Sequence, residues 1–175
     1  MIGSNWVEPL LRRSGLAGLV VAIGGALALA SATAPWWEAH AELTLAGASQ
    51  GRAVTTLAGW QHLPGVLTIA AGVVAVTLGL ALAFDRHPGW TRPASLAAGA
   101  VAAVGASIGT WSTPALSRFP DRRRALADLR DVVDELPVGV ELTLTVVRGH
   151  GAALAGIAAG IIVLGVASAR ELDRR

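Results

Sequence analysis

The chain has 175 residues, 53 % of them hydrophobic and 15 % charged, which suits one domain and falls well below the roughly 25 % charge of soluble domains. There is no Cys, which excludes disulfides, thiolate nucleophiles and Cys-bound zinc. The net charge is only +2; the pI near 10.9 arises because every basic residue is Arg, and no basic face for nucleic acid goes with it.

The first apolar segment covers residues 15–36, follows Arg12-Arg13 and closes on Pro35-Trp36-Trp37. Its length matches the ~20 residues that cross a hydrocarbon core. Ala30-Ser31-Ala32 after such a run also fits a signal-peptide cleavage site. The run exceeds the usual length of about 7–15 residues for that purpose, so a retained span is the preferred reading.

In the loop 37–62, residues Ala39 to Gly47 alternate. Ala41, Leu43 and Leu45 fall on one side, with His40, Glu42 and Thr44 on the other. This predicts a strand, a turn at Gly47 to Gly51, and a returning strand from Arg52 to Leu57.

The second and third spans cover residues 63–84 and 94–113, joined by the short connection Asp85 to Arg92. In the loop 114–149, Leu126, Leu129, Val133 and Leu136 repeat at helical spacing. An amphipathic helix is predicted from Pro120 to Leu136. Its Arg residues come early and its acids late, against the helix dipole, so it needs a surface to cover its apolar stripe. Val138 to Val147 then alternates as a strand, and Glu-Leu-Thr-Leu occurs at both Glu42–Leu45 and Glu141–Leu144. Since a lone hairpin is marginal, the strands of both loops are expected to share one sheet. The fourth span covers residues 150–169. The predicted fold is a single membrane domain over residues 1–175: a membrane all-α bundle of four transmembrane helices with a small extracytoplasmic β-sheet and one amphipathic helix.

Trp36, Trp37, Trp60, Trp90 and Trp111 lie at span ends and read as interfacial anchors. With the N-terminus inside, Arg residues divide seven to seven between the two sides. Arg12-Arg13 beside the first span, and the single Arg52 in the loop 38–62, favour both termini in the cytoplasm of a multi-pass plasma-membrane protein.

Small residues give the most specific signal inside the spans. Gly65, Gly72 and Gly79 recur every seven residues, Gly105/Gly109 and Gly156/Gly160 are GxxxG pairs, and Gly18 to Ala22 is similar. Such faces let helices approach closely in lipid, and they are read as helix-packing positions.

Candidate chemistry is sparse. Glu38, His40 and Glu42 share a strand face, with His62 and His150 at span starts on the same side. None of these spacings is a zinc signature, so ordinary interfacial polar residues are the preferred reading and no metal, cofactor or catalytic residue is assigned. Apart from His150 at the very start of the fourth, the spans contain no ionisable group, which argues against transport of charged species. Arg118, Arg122, Arg123 and Arg124 form a possible anion contact for headgroups or envelope phosphates.

Pro35-Trp36-Trp37, the Gly-rich fourth span from Gly149-His150-Gly151 through Gly156 and Gly160, and the strand-bearing outer loop resemble a class of small actinobacterial four-span membrane proteins. One such family is encoded near tryptophan-synthesis genes. The resemblance implies the layout and no activity. The expected function is therefore non-enzymatic: an accessory, assembly or scaffold subunit working through its outer loops and Gly-rich helix faces. Its expected partners are the lipid bilayer and either another membrane protein or a second copy. The alternatives are a small oligomeric transport or permeability component and, more remotely, a metal-dependent envelope enzyme.

Overall fold

The computed structural model describes residues 13–45, 48–84, 89–119, 121, 123–124, 126–128 and 141–172. In chain order these form α1 (Arg13–Thr33), β1 (Pro35–Leu45), β2 (Ala48–Ala58), a 3-10 turn (Gly59–Gln61), α2 (Leu63–Ala83), α3 (Thr91–Trp111), a second 3-10 turn (Leu116–Arg118), β3 (Glu141–Arg148) and α4 (Gly151–Leu172). Four helices, Gly15–Thr33, Leu63–Ala83, Thr91–Trp111 and Gly151–Ala169, are long and apolar enough to cross a membrane. The expected amphipathic helix falls mostly outside the described residues. Of it, Arg123–Arg124 and Leu126–Asp128 are helical and exposed.

The helices form a four-membered ring, α1 packing on α2 and α4, and α3 on the same two. Chain direction puts the end of α1, the start of α2, the end of α3 and the start of α4 at one pole, where the sheet sits. The first helix stops at Thr33, short of the expected residue 36. Pro35 disfavours helix in the residue before it, and the chain turns straight into β1. At the start of α2, Pro64 occupies the first turn, where its missing N–H costs nothing.

The sheet is antiparallel in the order β2-β1-β3, so strands from both loops do share it. The repeated tetrapeptides pair with each other. Glu42 faces Thr143, Leu43 faces Leu142 and Thr44 faces Glu141, a local two-fold arrangement in which each Glu meets a Thr. Of the turn expected at Gly47–Gly51, residues 48–51 are strand instead, with Leu45 paired to Ala48 and Glu42 to Gly51, and Gly47 lies outside the described residues. The alternation in β1 favours pairing over a longer loop.

Two clusters make the core. Val21, Ala71, Ala75, Ala98, Ala102, Ala159, Ile162 and Val166 fill the bundle with residues from all four helices. Trp36, Trp37, Ala39, Leu57, Ala106, Phe119, Ala152 and Ala155 join the sheet to α3 and α4. Buried hydroxyls bond within their own helices, as Ser95 Oγ donates to Thr91 O at 2.9 Å and Thr68 Oγ1 to Pro64 O at 3.0 Å.

The α1–α2 seam is set by two glycine pairs. A Cβ on Gly25 would lie 2.8 Å from Gly72 O, and one on Gly79 would lie 2.8 Å from Gly18 O and 2.9 Å from Ala22 Cα. Backbone therefore meets backbone there. Gly105 sits on Thr68 Oγ1 and Pro64 O, at 2.7 and 2.8 Å from its absent Cβ, and Gly65 sits on the backbone of Gly59. Gly156 and Gly160 are a correction. Both are exposed; a Cβ on Gly160 would meet nothing within 4 Å, and one on Gly156 only Ala106 Cβ at 3.9 Å. The buried stripe of α4 runs through Ala152, Ala155, Ala159, Ile162 and Val166, which turns this pair outward.

Candidate functional site: the junction beneath the sheet

A β-bulge creates the junction. Pro35 pairs with Ala58 and Trp37 with Leu57, so β1 carries one residue more than β2 at this point. Consecutive side chains, which normally alternate, can then both enter the protein. Trp36 is 0 % and Trp37 2 % exposed. Their expected role as interfacial anchors is thus corrected: the strand starts too early and the bulge turns both rings inward. Trp60, Trp90 and Trp111 are all exposed, Trp111 to 87 %.

Each indole satisfies a helix end. Trp36 Nε1 donates to Ser31 O in the last turn of α1 at 2.9 Å, and Trp37 Nε1 donates to Ser112 O, just past α3, at 3.0 Å. These carbonyls have no partner within their own helices. Trp36 lies in a cradle of Gly59, Gly109 and Gly151, where a Cβ at any of the three would strike its ring. Its backbone oxygen accepts from Gly149 N at 2.9 Å, tying β1 to the entry of α4.

His62 completes the cluster. Its ring meets both indoles edge-on, with centroids 4.8 Å from Trp36 and 4.5 Å from Trp37. Nδ1 accepts from Gly65 N at 3.2 Å and caps α2. The ring proton is thereby placed on Nε2, which is buried and has no partner among the described residues. Burial pushes the His62 pKa down to about 4, so the imidazole is neutral near pH 7.

Against this cluster lies a groove of about 540 Å³ between the sheet-side ends of α2 and α3. Trp37, Leu57 and His62 line it from the junction, Leu63, Pro64 and Leu67 from α2, and Ile108 from α3, with Ser112 to Ala115 and Arg118 from the segment that follows. Among the described residues, Arg118 is the only charged one in this lining and makes no ion pair. Arg123 and Arg124 are exposed nearby in the chain, while Arg122 lies outside the described side chains.

The candidate ligand residues are not gathered. Glu38 Oε2 and His40 Nε2 are 3.0 Å apart on the polar face of β1. His62 packs under Trp37, on the opposite face, and His150 is exposed at the start of α4. Among the described residues no group of three His, Asp or Glu converges.

No motif in the sequence marks the Trp36–Trp37–His62 cluster, although the hairpin carries a signal for it. A hairpin brings its two ends together, so Trp36-Trp37 had to lie near Gly59 to His62. The inward turn of both rings depended on the bulge, which no residue pattern announces. No family model matches the chain and no curated protein matches it, so function is read from geometry.

Proposed function

We propose that the chain is a multi-pass plasma-membrane protein with both termini cytoplasmic and the sheet outside, acting without catalysis as an accessory, assembly or scaffold subunit. The observation that carries this reading is the attachment of the sheet. Trp36, Trp37 and His62, the side chains best suited to recognition chemistry, are engaged in fixing it to the ends of α1, α3 and α2. A platform held in one orientation binds a partner with little further ordering cost. The outward Gly156/Gly160 pair of α4, beside the exposed Ile157 and Leu164, offers a face where another membrane helix or a second copy approaches closely. The transport alternative draws no support from the bundle interior, which is packed with Ala, Val and Ile.

Purification from native membranes in mild detergent, with native mass measurement, tests the reading. A homo-oligomer or a stoichiometric membrane partner is expected, lost in Gly160→Leu without loss of thermal stability. A lone monomer under all extraction conditions overturns it. Reporter fusions at Ser49, His87 and Arg175 test the orientation. The first should report outside and the other two inside, and an outside report at Arg175 reverses the topology.

A further inference from the structure

The groove between the ends of α2 and α3 combines two features: apolar side chains that face outward and a guanidinium that has no ion pair among the described residues. Leu63 is 71 % and Ile108 43 % exposed, so the groove opens on the outer surface of the bundle. If the helices span the bilayer, that surface is where acyl chains lie. Trp60 and Trp111, exposed at the same pole, mark the headgroup level. Arg118 stands just beyond the end of α3 and therefore past the hydrocarbon region. Among the described residues the lining contains no Asp or Glu.

We propose that this groove is a binding site for an anionic phospholipid, with one acyl chain along Leu67 and Ile108 and the phosphate at Arg118. The volume of about 540 Å³ falls within the roughly 300–1,000 Å³ of ligand sites. The charge pattern selects among occupants. A soluble anion would leave the apolar walls unused, and a zwitterionic headgroup would set its own cation beside Arg118. The anionic amphiphile matches both ends. This inference rests on the membrane reading above.

The protein is purified in detergent, and its retention of added phosphatidylglycerol or phosphatidylcholine is measured by native mass spectrometry. The expected preference for phosphatidylglycerol is about fivefold, the worth of one basic residue at a membrane surface. Arg118→Gln should abolish the preference and Arg118→Lys retain it, whereas Arg52→Gln, on the sheet, should leave it unchanged. Leu67→Trp, which fills the groove, should reduce retention of both lipids, with thermal unfolding used to show that the variants are folded. An unchanged preference in Arg118→Gln, or unchanged retention in Leu67→Trp, overturns the site. Equal retention of both lipids by the unaltered protein also overturns it while leaving the membrane reading intact. Release of the protein from membranes by alkaline carbonate overturns the membrane reading itself.

Discussion

The seam between α1 and α2 and the junction beneath the sheet both depend on glycine, for opposite reasons. In the seam, Gly18 faces Gly79 and Gly25 faces Gly72, and the absent side chains let two backbones touch. At the junction, Gly59, Gly109 and Gly151 clear a space that the largest side chain in the protein then fills. The seam is a short-range contact repeated every seven residues. The junction is a single fitted part that joins three helix ends to a sheet. The same residue type therefore carries no fixed meaning along this chain; what faces it decides the role.

Removing the fitted part should have the largest effect. Trp36→Ala leaves a cavity and strips Ser31 O of its donor, and a loss of about 3–5 kcal/mol is expected. Thermal unfolding in detergent should show it, together with faster proteolysis in the sheet. If Trp36→Ala unfolds at the original temperature, the junction does not hold the sheet.

The seam comes next. Gly79→Leu must push α1 and α2 apart, because the new side chain meets Gly18 O and the Ala22 backbone. The cost should be about 1–3 kcal/mol, read in the same melts. A neutral result would mean that the helices do not meet through these glycines.

A pH titration separates the junction from the seam. His62 stays neutral in the folded protein down to about pH 4, while the unfolded chain takes up its proton from about 6.5 downward. The unfolded state then binds more protons, so stability falls as pH drops through that window, and His62 contributes no such loss above it. His62→Asn keeps a cap acceptor for α2 and should flatten this part of the profile. An equal acid slope in the Asn variant would assign it to other groups.

The smallest effect is expected at the exposed glycine pair. Gly160→Leu points into open space, and its stability should change by no more than about 0.5 kcal/mol. A large loss in the monomer would place this face inside the bundle after all.

Much of the architecture was legible in the chain because it rests on one-dimensional patterns. Four uncharged runs of spanning length stand out without any knowledge of their neighbours. Alternation at Ala41-Leu43-Leu45 and Leu142-Leu144-Val146 marks strands, and the shared Glu-Leu-Thr-Leu pointed to one sheet, which the β1–β3 register bears out. Glycine spacing picked out Gly72 and Gly79, since a period of seven keeps residues on one helical face.

The candidate site was less legible, because its parts are assigned by contacts between distant segments. Periodicity cannot tell that Gly156 and Gly160 face away from the bundle, as the GxxxG spacing is the same whichever way the helix is rotated. Trp36 and Trp37 have the composition of an interfacial anchor and become a buried core only through a bulge one residue long. His62 reads as one more polar residue at a span start until the hairpin closes and sets two indoles against it. Span lengths and strand alternation are local properties of the backbone and of apolar burial, so the amino-acid order alone determined them. Which face of a helix is covered, and which ring meets which helix end, follow from the mutual fit of elements far apart in the chain, and only the tertiary structure decided those.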